Sequence, residues 1–122
     1  DCVSYTQAFD VSGDSDSVYV CLGDWDGSVA EVTVNAESAG VIACQPWELD
    51  ISDSVQPGRN TVTVKVYGTL KNTLGPHHGN PQLGTAWPGQ FQVGPETGPP
   101  PGESYHVVGY GLFEPFQLEV RR

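Results

Sequence analysis

Residues 59–78, which read RNTVTVKVYGTLKNTLGPHH, contain the pattern that decides the fold. Valine recurs at every second position, at Val62, Val64 and Val66, with threonine or lysine between. This two-residue period predicts a half-buried β-strand, because successive side chains of a strand point to opposite faces. The strand leads into a loop that is rich in glycine and proline and carries two adjacent histidines. The stretch therefore predicts a β-protein with a polar loop at a strand end, a common place for a binding site.

The composition extends this prediction to the whole chain of 122 residues. Glycine and proline account for 15 and 10 residues, methionine is absent, and no segment keeps a helical period. Turn signals separate eight predicted strands, at 5–11, 18–22, 29–35, 40–43, 47–51, 60–70, 104–112 and 115–121. Their number and spacing predict an all-β, antiparallel β-sandwich of the jelly-roll kind. Its core is expected to contain alternate valines of two strands, namely Val32, Val34, Val62, Val64 and Val66.

Residues 18–80 also resemble a known type of domain. A strand ends in an asparagine turn, a proline and an aromatic residue precede an Asp-Ile pair, and a Pro-Gly-x-Asn turn precedes the valine-rich strand. The residues that carry this order are Val34, Asn35, Ala36, Pro46, Trp47, Asp50, Ile51, Pro57, Gly58 and Asn60. The order is similar to that of galactose-binding-like jelly-roll domains attached to bacterial glycoside hydrolases, including family 2 and rhamnosidase-type enzymes. Ala36 replaces the usual glycine, so we expect either another turn type or a left-handed conformation at Asn35 alone.

The length and the resemblance together predict the domain organisation. A chain of this size suits a single domain, so we expect one module over residues 1–122 with a long Gly/Pro-rich loop at 75–103. The chain begins at Asp1 without methionine, which suggests a module excised from a larger protein. The resemblance implies a bacterial protein located outside the cell, in the periplasm or on the cell surface.

The charge restricts the possible partners. Fifteen acidic residues against five basic ones give a formal net charge of −10. The resulting negative potential argues against nucleic acids and anionic membrane surfaces. Cations and neutral polar ligands remain as candidates.

Candidate sugar contacts are aromatic and polar side chains in turns and loops. Proteins bind sugars by stacking a ring on the C–H face and by hydrogen bonding the hydroxyl groups. Trp25 and Trp87 each either pack or offer such a surface, whereas Trp47 shares a strand face with Leu49 and Ile51 and is expected in the core or at its rim. The predicted carbohydrate-binding residues are Trp25, Asn72, His77, His78, Asn80 and Trp87. The two histidines could instead bond the loop backbone or ligate a metal.

Acidic turns provide candidate ligands for a cation. Calcium requires several converging oxygens, and the resemblance makes a structural calcium ion plausible. The candidate ligands are Asp14, Asp16, Asp24, Asp26 and Glu119. The alternative is that these acidic turns are only solvated.

Cysteine usage leaves the pairing open. The chain has three cysteines, Cys2, Cys21 and Cys44, so at least one of them is unpaired. Cys21 and Cys44 are expected as buried small apolar residues, and the alternative is a disulfide between two of the three.

The sequence favours a binding role over catalysis. It contains no nucleophile elbow, Cys-His signature, phosphate loop or zinc-protease motif, so the module itself is expected not to be an enzyme. Two hypotheses follow from the resemblance. The first is a carbohydrate-binding module of a secreted glycoside hydrolase, whose partners are a glycan and the catalytic domain. The second is a structural sandwich that packs on that catalytic domain without binding sugar.

Overall fold

The computed structural model describes residues 1–13, 17–70, 72 and 107–121. The chain divides into two compact units, one formed by Asp1–Gly68 with Tyr110–Arg122 and the other by Thr69–Gly109. All the strands described below belong to the first unit. The loop predicted at 75–103 lies outside the described residues, and the single module of 1–122 stays a prediction.

Nine strands and one 3₁₀ turn form the regular structure of the first unit, as far as it is described. The turn comprises Ser52–Ser54. The strands are β1 (Cys2–Val11), β2 (Ser17–Cys21), β3 (Trp25–Asp26), β4 (Val29–Val34), β5 (Glu37–Ile42), β6 (Glu48–Asp50), β7 (Gly58–Tyr67), β8 (Gly111–Leu112) and β9 (Gln117–Arg121). No helix in the described residues has the length and apolar character needed to cross a membrane.

The strands form two larger sheets and a short ribbon, and every pairing is antiparallel. The four-stranded sheet has the order β1-β7-β4-β5, the three-stranded sheet has the order β6-β2-β9, and β3 pairs with β8. The all-β antiparallel prediction is therefore confirmed.

The two larger sheets share one hydrophobic core. Val32, Val34, Val62, Val64 and Val66 are each at most 1% exposed, as the alternation predicts. They belong to one buried cluster with residues of the other sheet and its connections, which include Val18, Val20 and Ile51. This shared core is the defining feature of a β-sandwich.

Several predicted boundaries are wrong. The strand predicted at 60–70 ends at Tyr67, and the one predicted at 104–112 is a strand only at Gly111–Leu112 within the described residues. Gly111 begins β8 with a positive φ of 118°, which departs from regular strand geometry, and Tyr5 Oη occupies the space where a Cβ would be, so only glycine fits at this position. The segment predicted as a turn around Trp25 instead contains β3.

The turn between β4 and β5 is neither of another type nor left-handed at Asn35 alone, so both predictions for it are wrong. Asn35 and Ala36 both have positive φ, 50° and 70°, which is the requirement of a type I′ turn. The Asn35 side chain accepts from the Thr61 amide at 2.9 Å and donates to Asn60 Oδ1 at 2.9 Å. Because Asn35 is fixed in this way, Ala36 adopts the conformation that glycine usually supplies.

All three cysteines are free. Cys21 is half-buried, and burial raises the pKa of its thiol. Cys44 is exposed, so its predicted burial is wrong, because it lies beyond the end of β5 rather than inside the strand.

Candidate functional site

Residues 23–28 connect β2 to β4, and hydrogen bonds hold them on β8 and on the segment that follows it. Trp25 pairs with Leu112, and the Phe113 amide donates to the Asp24 carbonyl at 2.9 Å. The Asp24 amide donates to Glu114 Oε1 at 2.6 Å. These bonds fix the start of the connection, although its partners are almost ninety positions away in sequence.

The end of the same connection is fixed by the last residues of β7. The Ser28 amide donates to the Tyr67 carbonyl at 2.7 Å, and Ser28 Oγ donates to the Gly68 carbonyl at 3.2 Å. A Cβ atom at Gly27 would lie 2.7 Å from both the Tyr67 carbonyl oxygen and a Val66 methyl group. Only glycine permits this close approach, so the connection has little freedom to change shape.

A cavity of about 310 Å³ lies along this connection. Two indole rings form part of its wall, with centroids 5.3 Å apart and planes at 86° in an edge-to-face arrangement. Both rings are half-buried and pack against the core. The cavity is lined by Gly23, Asp24, Trp25, Asp26, Gly27, Ser28 and Trp47. Its volume is at the lower end of the range, about 300 to 1,000 Å³, that is typical of small-ligand sites.

The free polar groups of the cavity are mainly acceptors. Asp24 and Asp26 are exposed, and their carboxylates receive no hydrogen bond from the described residues. Ser28 Oγ uses its proton on Gly68 and so keeps its lone pairs for a ligand. An aromatic wall beside carboxylates suits a ligand with an apolar face and a polar edge that donates hydrogen bonds.

Of the six predicted sugar-binding residues, the structure describes the positions of two. Trp25 lies in the cavity. Both ends of the Asn72 amide bond the backbone of Val108: Oδ1 accepts from the Val108 amide at 2.9 Å and Nδ2 donates to the Val108 carbonyl at 2.7 Å. The other four residues lie outside the described part of the chain: His77, His78, Asn80 and Trp87.

The predicted calcium ligands do not form a described cluster. Asp24 and Asp26 lie at the cavity, while Glu119 in β9 accepts from Arg121 at 2.9 Å. Asp14 and Asp16 are outside the described residues. Among the residues that are described, no three histidine, cysteine, aspartate or glutamate side chains converge as a metal site.

Sequence reasoning missed two residues that shape the cavity. Trp47 was expected in the core or at its rim, and it does pack against the core, but it also lines the cavity. Glu114 holds the Asp24 amide from a distant segment. No local pattern could have indicated Glu114, because its role depends on the pairing of β3 with β8.

An apolar groove runs along a different side of the sandwich, between the edge strands β1 and β9. Two cavities, of about 310 and 590 Å³, lie along it. Phe113 and Val120 are 56% and 59% exposed there, and Phe9, Phe116 and Leu118 also line it. The groove has the apolar character of a surface that packs against another protein surface.

Comparison with solved structures relates the chain to a glycoside hydrolase. No protein-family model and no curated protein matches the chain. Among solved structures, the chain is similar to the rhamnosidase from Novosphingobium sp. PP1Y, with a TM-score of 0.60 and 28% sequence identity over 96% of this chain. The fold is that of a domain associated with a glycoside hydrolase. This chain spans 10% of the length of that rhamnosidase chain.

Proposed function

We propose that this protein is a non-catalytic, galactose-binding-like jelly-roll module of a larger secreted glycoside hydrolase, and that it binds a glycan at the Trp25 cavity. The observation that carries the proposal is the half-buried Trp25 ring in a cavity of about 310 Å³, beside carboxylates that accept no hydrogen bond from the described residues. A sugar ring presents the matching surfaces, an apolar C–H face and hydroxyl donors.

The similarity to a rhamnosidase supports the accessory role. A segment that matches a tenth of a glycoside hydrolase leaves most of that enzyme to other domains, which are the natural location of its catalytic residues. Rhamnose-containing glycans are therefore among the first ligands to try. The predicted contacts from His77, His78, Asn80 and Trp87 remain parts of the proposal. A calcium ion on the acidic turns is the alternative use of Asp24 and Asp26, because a bound cation would occupy the carboxylates that the sugar needs.

The test is calorimetric titration of oligosaccharides into the purified protein and two variants. Trp25→Ala removes the stacking surface and is expected to weaken binding by about 1 to 3 kcal/mol, the free energy of burying one large apolar side chain. Phe113→Ala is the matched control, because it removes an exposed aromatic ring that does not line the cavity.

Equal affinity of Trp25→Ala and the parent protein would reject the Trp25 cavity as the sugar site. Thermal unfolding of both variants separates lost binding from lost folding, since Trp25 also packs against the core.

The groove favours a second candidate function, in which the module packs on the catalytic domain of the same protein without binding sugar. The supporting observation is the exposure of Phe113 and Val120 beside the open edges of β1 and β9. In that case Phe113→Ala weakens binding to the separately produced remainder of the parent protein, and Trp25→Ala does not. The two variants therefore distinguish the two functions.

A further inference from the structure

The charge of the Trp25 cavity restricts which sugars it can accept. Of the described residues that line it, Asp24 and Asp26 are the charged ones, and both are acidic. A third carboxylate, that of Glu114, lies beside the cavity, where its Oε1 accepts a hydrogen bond from the Asp24 amide at 2.6 Å. A ligand that enters the cavity therefore meets negative charge without a basic group among these residues to offset it.

The hydrogen-bonding groups have the same bias. The carboxylates of Asp24 and Asp26 accept no hydrogen bond within the described structure, and a carboxylate is an acceptor only. Trp25 and Trp47 each carry one donor, the indole N–H, among the lining residues. Because the free groups are mainly carboxylate acceptors, a ligand that donates hydrogen bonds fits the cavity best.

The rest of the protein reinforces this local field. The full chain carries a formal charge of −10, so an anionic glycan is repelled before it reaches the cavity. At physiological ionic strength this long-range part is screened beyond about 8 Å, which leaves Asp24 and Asp26 as the dominant contribution at contact.

We propose that the Trp25 cavity selects uncharged, hydroxyl-rich sugar units and rejects uronic acid and sulfated units. This inference rests on the proposed sugar-binding function and adds the ligand class. A neutral unit donates its hydroxyl protons to Asp24 and Asp26, forming hydrogen bonds to charged acceptors, which are stronger than those between neutral groups. An anionic unit in the same position brings like charges together, and none of the described lining residues is basic, so the contact is repulsive.

The test uses pairs of oligosaccharides that share ring stereochemistry and differ in the carboxylate, such as galactose and galacturonic acid oligomers or glucose and glucuronic acid oligomers. Binding of each is measured by calorimetry on the whole chain. We expect the neutral member of a pair to bind at least about tenfold more tightly, as expected for like-charge repulsion at contact.

Two double variants locate the origin of the selectivity. Asp24→Asn with Asp26→Asn is expected to bring the affinity ratio of the pair close to one, because the acidic member is no longer repelled in the cavity. Asp10→Asn with Asp53→Asn is the control: it changes the net charge by the same amount at positions that do not line the cavity. It should leave the ratio nearly unchanged.

The outcomes distinguish the selectivity of the cavity from sugar binding itself. Equal or tighter binding of the acidic members by the parent protein would overturn the selectivity while supporting sugar binding. Loss of selectivity in the control variant would assign it to net charge and overturn the role of the cavity. Absence of binding by both members of every pair would overturn the sugar-binding function itself, and this inference with it.

Discussion

Two asparagines, Asn35 and Asn60, hydrogen bond each other and so link the turn between β4 and β5 to the start of β7. Asn60 is 1% exposed, and its amide donates to the carbonyls of Gln56 and Gly58 at 2.7 and 2.9 Å. Its Oδ1 accepts from the Gln56 amide and from Asn35 Nδ2, each at 2.9 Å. A buried amide with all these bonds made is stabilising, whereas an unpaired one would be costly. The resemblance indicated both residues, but a sequence cannot show that they bond to each other.

Ala36 offers a direct test of this turn. We predict that Ala36→Gly raises the free energy of unfolding by about 0.5 to 1 kcal/mol, because glycine has no Cβ penalty at a φ of 70°. Urea unfolding measures the change. Ala39→Gly in β5 is the control, and it should be destabilising, because Ala39 packs against the core in a strand. A loss of stability in Ala36→Gly equal to that of the control would show that Ala36 is not strained.

At the scale of elements, Arg121 links the three strands of the smaller sheet. Its guanidinium contacts Glu48 in β6 at 2.6 Å and Glu119 in β9 at 2.9 Å, and lies 4.1 Å from the centre of the Tyr19 ring in β2. The hydrogen bond from Arg121 lowers the pKa of the Glu48 carboxyl below its ordinary value of 4.5. The network is solvent-exposed, so its contribution is modest and depends on pH.

The direction of that pH dependence follows from the lowered pKa of Glu48. A carboxyl group with a lower pKa in the folded state stabilises the protein above its ordinary pKa, and the effect is lost as the pH falls through the folded value. We predict that Arg121→Gln lowers Tm at pH 7 and that the difference from the parent protein shrinks as the pH falls below 4.5. Arg59→Gln removes the same charge from a residue that makes no ion pair in the described structure.

Thermal melts of both variants between neutral and acidic pH provide the measurement. A Tm difference for Arg121→Gln that is the same at pH 7 and well below 4.5, or that matches Arg59→Gln throughout, would contradict the account of the network.

At the scale of the whole molecule, the sequence predicts the buried faces of the two sheets better than the positions of the segments that connect their strands. Alternating valines indicate a buried face by themselves, so Val32, Val62 and their neighbours were placed correctly. The cavity was not predictable in the same way. Trp25 was a candidate contact, but the positions of Trp47 and Glu114 around it depend on long-range pairing that leaves no local pattern.

The candidate site was only partly predictable for a related reason. Asn72 looked like a free polar side chain in a loop, yet both ends of its amide bond Val108. A polar residue in a loop satisfies the backbone as readily as it contacts a ligand, and the sequence alone does not separate the two roles.

The central claim, that the connection at 23–28 with Trp47 binds sugar, is tested most directly by nuclear magnetic resonance titration of the isotope-labelled protein with a neutral oligosaccharide. The account predicts saturable shifts of the two indole N–H signals, Trp25 and Trp47, and of the backbone amides of residues 23–28. The amides of β9 beside the groove should remain unchanged. Saturable shifts confined to the groove, or no shift for any neutral sugar at millimolar concentration, would contradict it.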